Sequence, residues 1–378
     1  MGKALDPAAV RGARPLGLLS NVASLSADGR PVLSALQRAG LHISVIFSPE
    51  HGYFGLGRAG EAMPDSQFER AARPPIPIIS LHGTVYAPAA DQLRPLAAVL
   101  VDLQDTGNRW YTYLGTLRHL LHTSAETGTP VIVLDRPNPQ GGDVIEGPRA
   151  EPAYFSLIAP DTFPARYGLT LGEAARLLNR TIQAPLTVIA LDGWRRSMRY
   201  ADTGLIWASP SPNMPNPEAC LLYSATCLIE ATNLSEGRGT ALPFIQIGAP
   251  FISAEMLTDT LNGLALPGVA FSPAWFRPTI LKFADQDCQG VRLHVTDPQT
   301  VRGFALGVQL LATLRQLYPT ALHWITTERQ VFWLDRLAAT DRLRKALEAG
   351  QPPGSICADF APDVASFRAE AEPLYLYS

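Results

Sequence analysis

The chain has 378 residues, of which 47% are hydrophobic and 17% are charged, and its formal net charge is −3 at pH 7. This apolar content and low share of charge predict folded domains with a sizeable core and exclude an intrinsically disordered protein. The weak negative charge and the scatter of the Lys and Arg residues argue against nucleic acid or an anionic membrane as a partner.

The cysteines also restrict the classes of protein. Cys220, Cys227, Cys288 and Cys357 form no C-x-x-C pair and no short zinc spacing. We therefore expect free thiols in a reducing compartment and no metal site. No apolar run is long enough to span a membrane, and the first residues lack the apolar core of a signal peptide. The expected location is cytoplasmic, or outside the cell if a leader has been removed.

The first half of the chain alternates between strand-like and helix-like patterns. The predicted strands are 15–22, 41–48, 76–80, 97–104, 130–135 and 186–191, and the predicted helices are 30–40, 88–96, 111–128 and 170–180. Strands of continuous Val, Ile and Leu between amphipathic helices predict an α/β fold, in which helices cover both faces of a parallel sheet. No glycine-rich phosphate loop follows any of these strands, which argues against a nucleotide cofactor.

The pattern changes at the proline-rich segment "SPSPNMPNP" (209–217). After it, 288–297 alternates like a strand with one wet face, while 300–319 and 341–350 have helical periodicity. We predict a first domain over 1–208, which carries the catalytic cleft, and a smaller auxiliary α+β domain over 209–378, which closes it.

Polar side chains follow three of the predicted strands, where ligands bind in open parallel sheets. The strands 41–48, 97–104 and 130–135 are followed by "SPEHG", "QDTGNRWYTY" and "DRPNPQGG". These segments supply Glu50, His51, Asp105, Arg109, Asp135, Arg136 and Asn138. The sequence therefore predicts a polar, charged cleft at this edge of the sheet.

Glu50 is the strongest candidate for chemistry in this group. A carboxylate at the end of an apolar strand must find a partner or have its pKa raised, and a raised pKa is what a general acid needs at neutral pH. The other residues have structural alternatives. Asp105 could cap the next helix, Arg109 could pair with a neighbouring aspartate, Asn138 could shape a turn, and His51 could only donate to a backbone carbonyl.

The segment "CLIEATNLSEGRGT" (227–240) suits a sugar or another polyol, because it is dense in hydrogen-bonding side chains. Those side chains are Glu230, Asn233, Glu236 and Arg238. The alternative is a solvated loop in which Glu236 and Arg238 pair with each other. Asn213, Tyr111 and Tyr113 could add a surface for a pyranose ring, although the tyrosines could equally pack against the sheet.

Several long motifs occur in an order that resembles a known family. They are "FSPEHGYFG", "VDLQDTGNRWYTYLGTL", "VIVLDRPNP", "YGLTLGE", "SPSPNMPNP" and "EATNLSEGRGT". Over essentially the whole chain they resemble the NamZ-type exo-β-N-acetylmuramidases, long catalogued as a domain of unknown function. The resemblance implies a Rossmann-like first domain and release of terminal N-acetylmuramic acid from the non-reducing end of peptidoglycan fragments, without a cofactor.

The resemblance also implies catalytic residues. Glu50 of "SPEHG" corresponds to the expected acid and Glu173 of "YGLTLGE" to the second carboxylate. In our interpretation, His51 and Arg109 would orient Glu50 or tune its pKa. Glu146 and Glu236 are further possibilities for that second role. Considered alone, Glu173 is a first-turn glutamate that favours the helix dipole.

Some alternatives stay open at this point. Arg136 or Arg238 could bind the lactyl carboxylate of muramic acid, since Arg suits bidentate recognition of carboxylates. A protein that binds muropeptides without cleaving them, or a metal-dependent hydrolase or deacetylase using His51, Asp105 and Asp135, would have a similar sequence. The sequence does not distinguish retention, inversion or substrate-assisted attack, and it does not give the oligomeric state.

Overall fold

The computed structural model describes residues 15–69 and 74–378. The strands are β1 (Leu16–Ser20), β2 (Ile43–Ser48), β3 (Ser66–Phe68), β4 (Ile76–Ser80), β5 (Ala98–Asp102), β6 (Val131–Leu134), β7 (Glu146–Arg149), β8 (Pro164–Arg166), β9 (Leu186–Ile189), β10 (Gln246–Ala249), β11 (Val269–Phe276) and β12 (Cys288–Val295). The helices are α1 (Val32–Arg38), α2 (Ala90–Leu93), α3 (Tyr113–Thr127), α4 (Leu171–Ile182), α5 (Pro217–Thr226), α6 (Ala254–Gly263), α7 (Gly303–Leu317), α8 (Trp333–Ala338), α9 (Arg342–Glu348), α10 (Pro353–Asp359) and α11 (Ala361–Ala371).

The predicted α/β fold is confirmed. Seven strands form one sheet in the order β3-β4-β2-β1-β5-β6-β9, and every pairing in it is parallel except that of β3 with β4. The sheet directs the carboxyl ends of β2, β4 and β5 to the same edge, which positions the site described below.

Both faces of this sheet are buried. Successive residues of a strand point to opposite faces, so neighbouring residues pack in different clusters. Leu18 of β1 packs in one apolar cluster with Val32 and Leu36 of α1, whereas Leu19 packs in the other cluster with Leu117 of α3. Each of these leucines is fully buried and contributes about 1.5–3 kcal/mol to stability.

The sequence pattern missed several short elements. The strands β3, β7 and β8 have three or four residues each and include polar residues or proline, so they lack the apolar signal of a buried strand. The helix predicted over 88–96 is only Ala90–Leu93.

The second half is a smaller unit with an antiparallel sheet in the order β10-β12-β11, which packs against α6, and α6 in turn packs against α7. Its last residues return to the first half. The Leu376 N–H donates to the Glu173 carboxylate at 2.9 Å, and the Tyr377 hydroxyl donates to Asp135 at 2.6 Å. The boundary at 208 therefore stays a prediction, and the C-terminal segment crosses it.

None of the helices within residues 15–69 and 74–378 is long and apolar enough to cross a membrane.

Candidate active site

A cavity of about 340 Å³ opens at the carboxyl edge of the main sheet. Both halves of the chain contribute to it. Some of the lining residues follow β2 or β4 or precede α3, and others come from the segment 211–244 and from α8. The lining residues are Glu50, His51, Ala59, Gly60, His82, Trp110, Tyr111, Thr112, Leu157, Ile158, Ser211, Asn213, Met214, Tyr223, Cys227, Glu230, Arg238, Phe244, Leu281, Trp333 and Leu337.

Glu50 lies two residues beyond β2, with its side chain in the wall of the cavity, and the residue is only 7% exposed. Its two carboxylate oxygens have different partners. Oε2 accepts a hydrogen bond from the Thr112 hydroxyl at 2.6 Å, and Oε1 accepts one from the Gly60 N–H at 2.6 Å. The His82 Nε2 lies 3.7 Å from Oε1. The carboxylate is thus held by neutral donors and has an imidazole beside it.

These neighbours set the pKa of Glu50. Burial acts to raise it, but His51 and the Thr112 hydroxyl lower it, and His82 and the Gly60 N–H lower it further. The net result is a pKa of Glu50 below its ordinary value. Of the two outcomes expected for this carboxylate, a partner or a raised pKa, the structure shows the first, because the charge of His51 and the hydrogen bond from Thr112, with the other neighbours, outweigh desolvation.

His51 has an unusual backbone and a defined tautomer. Its φ is +73°, in the left-handed region, which is uncommon for residues other than glycine and is often found at functional sites. Its Nδ1 lies 2.8 Å from the Gly57 carbonyl oxygen. Since a carbonyl only accepts, Nδ1 carries the proton. Burial lowers the pKa of His51 and outweighs the nearby Glu50 carboxylate, so the ring is neutral at neutral pH.

Glu230 and Arg238 form the facing polar wall. The Arg238 Nη2 lies 2.9 Å from Glu230 Oε1, and its Nη1 lies 3.2 Å from Glu236 Oε1. Glu236 does not line the cavity. It is buried behind Arg238 and is also paired with Lys282 at 3.2 Å. The predicted pairing of Glu236 with Arg238 is confirmed, but the segment is buried rather than solvated.

The positive and negative charges of this cluster, formed by Glu230, Glu236, Arg238 and Lys282, are equal in number. Burial disfavours the charged form of Arg238, but Glu230 and Glu236 raise its pKa above the ordinary value. Burial likewise acts to raise the pKa of Glu236, and Lys282 and Arg238 together lower it. Two cations therefore neutralise two carboxylates within the wall, and Arg238 offers the cavity a held guanidinium rather than a free one.

The structure brings six of the predicted site residues to the cavity. They are Glu50, His51, Tyr111, Asn213, Glu230 and Arg238. Tyr113 lies behind Tyr111, with the ring centroids 4.6 Å apart, and its hydroxyl donates to the Pro210 carbonyl at 2.7 Å. Burial raises the pKa of both phenols, so both stay protonated.

Glu173 is not brought to the cavity. It is fully buried at the start of α4, where it forms a capping box with Thr170. Both of its oxygens accept from the Arg196 Nη1, at 2.8 and 2.9 Å, and the Leu376 N–H adds a third hydrogen bond. Glu173 thus lies in the first turn of a helix, as its sequence context alone indicated, and it does not line the cavity.

Two more predicted residues lie elsewhere. Glu146 pairs with Arg166 at 3.1 Å and accepts from the Gly303 N–H at 3.0 Å, so it joins β7 to the start of α7. Asn233 donates to the Ala321 carbonyl at 2.9 Å and accepts from the His323 N–H at 2.9 Å. Both side chains are occupied in holding loops together.

Asp105 and Arg109 are buried beneath the cavity wall and do not pair with each other. Asp105 accepts from the Gly107 N–H at 2.7 Å and from the Tyr167 hydroxyl, and burial raises its pKa to about 6. Arg109 donates to the backbone carbonyls of Phe163 and Leu337 at 3.1 and 2.6 Å. Burial lowers the pKa of Arg109 to about 9. The alternative of an ion pair between Arg109 and a neighbouring aspartate is therefore not what the structure shows; Arg109 holds two backbone carbonyls instead.

The residues after β6 also hold loops. Asp135 accepts from the Gly172 N–H at 2.7 Å and from Tyr377, and burial raises its pKa to about 6. Arg136 is bound to Asp102 and to the Leu25 carbonyl, and Asn138 donates to the Leu169 carbonyl at 2.9 Å. Of the seven polar residues expected in the cleft, only Glu50 and His51 line the cavity.

Sequence reasoning missed three partners of Glu50. His82 lies two residues after β4, as Glu50 does after β2. The argument that ligands bind beyond the carboxyl ends of strands, applied to 76–80, would therefore have identified it. Thr112 directly precedes α3. Gly60 has no signal in the local pattern.

Within residues 15–69 and 74–378, no group of three His, Cys, Asp or Glu side chains is arranged to hold a metal ion. His51, Asp105 and Asp135, which a metal-dependent hydrolase would use, have separate hydrogen-bond partners.

Comparison with known families places nearly the whole chain in one group. Residues 16–218 match the family described as "Exo-beta-N-acetylmuramidase NamZ, N-terminal", and residues 221–377 match "Exo-beta-N-acetylmuramidase NamZ, C-terminal". The chain is 39% identical over 338 residues to the peptidoglycan beta-N-acetylmuramidase NamZ of Bacillus subtilis (strain 168). That match covers 89% of this chain and 80% of the relative.

Two solved structures have the same fold. A DUF1343 family protein from Bacteroides fragilis NCTC 9343 superposes with a TM-score of 0.87 at 29% identity, covering 97% of this chain and 94% of the other. A second DUF1343 family protein from the same strain has a TM-score of 0.77 at 27% identity, covering 99% and 96%.

Proposed function

The chain belongs to the NamZ family of exo-β-N-acetylmuramidases, and from that membership we propose that it is a glycosidase that releases terminal β-linked N-acetylmuramic acid. The substrates are cell-wall fragments, cleaved from the non-reducing end. The relative from Bacillus subtilis carries this activity in its name. The observation that supports the proposal here is the Glu50 carboxylate, held in the wall of a sugar-sized cavity.

The size of the cavity fits an exo-acting enzyme. Its volume of about 340 Å³ is near the lower end of ligand pockets, which span about 300–1,000 Å³. Such a volume suits one sugar residue rather than a length of glycan. The terminal residue would occupy the cavity, and the rest of the fragment would extend through its mouth.

Glu50 is the proposed general acid, although its neighbours hold its pKa below the ordinary value. A bound sugar displaces water from the carboxylate, and the lactyl carboxylate of muramic acid adds a negative charge to the cavity. Both changes raise the pKa of a neighbouring carboxyl group. Glu50 would then take up a proton as substrate binds and donate it to the glycosidic oxygen while the bond to the anomeric carbon breaks. The leaving sugar departs as a neutral alcohol.

Glu230 is the proposed second carboxylate, since it is the other acidic side chain among the lining residues. It would activate a water molecule, attack the anomeric carbon, or orient the acetamido group of the substrate. A separation of about 5–5.5 Å between the two carboxyl groups in the complex would favour retention and about 6.5–9.5 Å inversion. Arg238, at the same wall, is the proposed partner of the lactyl carboxylate.

The experiment measures release of chromophore from para-nitrophenyl β-N-acetylmuramic acid and from the N-acetylglucosamine analogue. We expect the wild type to cleave the muramic compound, and Glu50→Gln to lose about 10²–10⁴-fold in rate on the disaccharide N-acetylmuramyl-β-1,4-N-acetylglucosamine, because its leaving sugar needs the proton of a general acid. Glu126→Gln, an exposed glutamate on α3, is the matched control. Unchanged circular dichroism would show that the variants are folded.

Each remaining result has a definite meaning. Full activity of Glu50→Gln would remove Glu50 from the mechanism. A folded wild type that binds N-acetylmuramic acid but cleaves neither compound would favour the non-catalytic muropeptide-binding alternative. Loss of activity on treatment with a chelator would favour the metal-dependent one.

We also propose a cytoplasmic role in recycling of imported wall fragments. All four cysteines are free thiols, which supports a reducing compartment.

A further inference from the structure

The loop between β11 and β12 has a strained backbone. Leu281, Phe283 and Asp285 have φ angles of +62°, +58° and +60°, all in the left-handed region. A residue other than glycine in a sparsely populated region costs of the order of 1–3 kcal/mol and persists only where its surroundings hold it. Three such residues within five positions therefore need strong anchors.

Lys282 is one anchor. Its ammonium group lies 2.9 Å from the Leu234 carbonyl, 3.1 Å from the Glu230 carbonyl and 3.2 Å from the Glu236 carboxylate. These contacts attach the loop to the 3₁₀ helix Cys227–Ala231 and the segment after it, and that helix carries Glu230. The loop is thereby fixed to the acidic wall of the cavity.

Thr279 is a second anchor, because its N–H and its hydroxyl both donate to the Gly239 carbonyl at 3.0 Å. Between the two anchors, the loop places Leu281 in the lining of the cavity although the residue is 61% exposed. A large apolar side chain is thus held at the mouth by a backbone conformation that is costly to maintain.

The mouth differs from the inner end of the cavity. Leu157, Ile158 and Trp333 are large apolar lining residues that are also partly exposed; the first two are adjacent in the chain, and Trp333 begins α8. Glu50 and Thr112, which donates to it, are both buried. The exposed part of the lining therefore includes an apolar surface formed by these residues and Leu281, beside the partly exposed polar side chains of Asn213, Glu230 and Arg238.

We propose that Leu281 is a specificity-determining residue that contacts the sugar on the leaving-group side of the scissile bond. This inference rests on the proposed function. If the terminal residue occupies the buried end beside Glu50, the next sugar must lie at the mouth. The axial C–H groups of a pyranose ring form an apolar face that packs on aliphatic and aromatic side chains, and polar groups in the pocket then fix the orientation.

The test compares two substrates that differ only beyond the terminal sugar. The disaccharide N-acetylmuramyl-β-1,4-N-acetylglucosamine has a leaving-group sugar, whereas N-acetylmuramyl β-fluoride has none. Leu281→Gly removes the side chain and suits the positive φ, so a loss cannot arise from added backbone strain. Leu281→Asn keeps a side chain that tolerates this φ but makes it polar. Leu264→Gly, at an exposed leucine after α6, is the matched control.

We expect both Leu281 variants to raise the KM for the disaccharide about 10-fold, the usual effect of losing a small apolar contact. Their kcat/KM for the fluoride should equal that of the wild type. Equal losses on the two substrates, or no loss on the disaccharide, would overturn the assignment. So would a loss confined to a disaccharide that carries a stem peptide, since the contact would then be with the peptide. A wild type that cleaves neither substrate would overturn the proposed function, and this inference with it.

Discussion

Two buried glutamates of this chain, Glu50 and Glu173, have similar settings and different surroundings. Both lie near the carboxyl edge of the main sheet, both are almost inaccessible, and both accept several hydrogen bonds. Glu173 is bound through both oxygens to the Arg196 guanidinium. Glu50 is bound to a hydroxyl and an amide, and its carboxylate forms part of a cavity wall.

Burial alone therefore does not tell whether a carboxylate has a structural or a catalytic role. A carboxylate paired with a buried guanidinium is held in place by that pair, and removing either partner is costly. A carboxylate held by neutral donors keeps a pKa that responds to what enters the cavity. Glu50 therefore has the properties of a group that can exchange a proton, whereas Glu173 has those of a structural ion pair between α4, Arg196 and the C-terminal segment.

The largest difference that we expect between the two glutamates is the effect of their substitution on the free energy of unfolding. Glu173→Gln removes one partner of a buried ion pair and leaves the Arg196 charge uncompensated, which costs about 3–5 kcal/mol. We expect the free energy of unfolding to fall by that amount in urea denaturation, while kcat per folded molecule stays at the wild-type value. Glu255→Gln, in the first turn of α6, is the control. A loss of kcat without loss of stability would restore Glu173 as a catalytic candidate.

The contrast also shows what the sequence could predict. The structure confirms the predicted strands β2, β5 and β6. They could be predicted because a run of apolar residues is a local signal, and Glu50 could be found because it closely follows β2. The Thr112–Glu50 hydrogen bond joins residues 62 positions apart, and the Tyr377–Asp135 bond joins residues 242 positions apart. No local pattern indicates such pairings, so the sequence could not tell which polar residues at the sheet edge face a cavity and which hold loops together.

Thr112→Val tests the hydrogen bond that keeps Glu50 ionised. If Glu50 is the acid, kcat/KM falls as pH rises through the pKa of Glu50 in the free enzyme, because the proton donor is lost. Valine has the shape of threonine but no hydroxyl, so the ionised form loses a donor and the pKa of Glu50 rises. A hydrogen bond to a charged group contributes about 1.5–3 kcal/mol, which corresponds to about one to two pH units.

The falling limb of kcat/KM should therefore move to higher pH by that amount. Thr116→Val is the matched control, since Thr116 is buried one turn further along α3 and donates to the Thr112 carbonyl rather than to Glu50. A limb that rises with pH would show that Glu50 acts in its ionised form, as a base or nucleophile. An unchanged limb would show that another group titrates.

The smallest expected effect concerns His82, which lies 3.7 Å from Glu50 without a close hydrogen bond. When the imidazole is protonated, its positive charge favours ionised Glu50 and lowers the pKa of that carboxyl group. His82→Gln removes the charge, so the pKa of Glu50 rises and the limb moves to higher pH, by less than about one unit. The control is His119→Gln, because the His119 ring contacts Tyr86, which packs edge-on against His82. A shift of equal size in both variants would assign the effect to packing rather than to charge. We expect a shift only in His82→Gln, and a smaller shift in high salt, because salt screens the charge of the imidazole. That result would show that the pKa of Glu50 responds to a nearby charge, in contrast to the structural ion pair of Glu173.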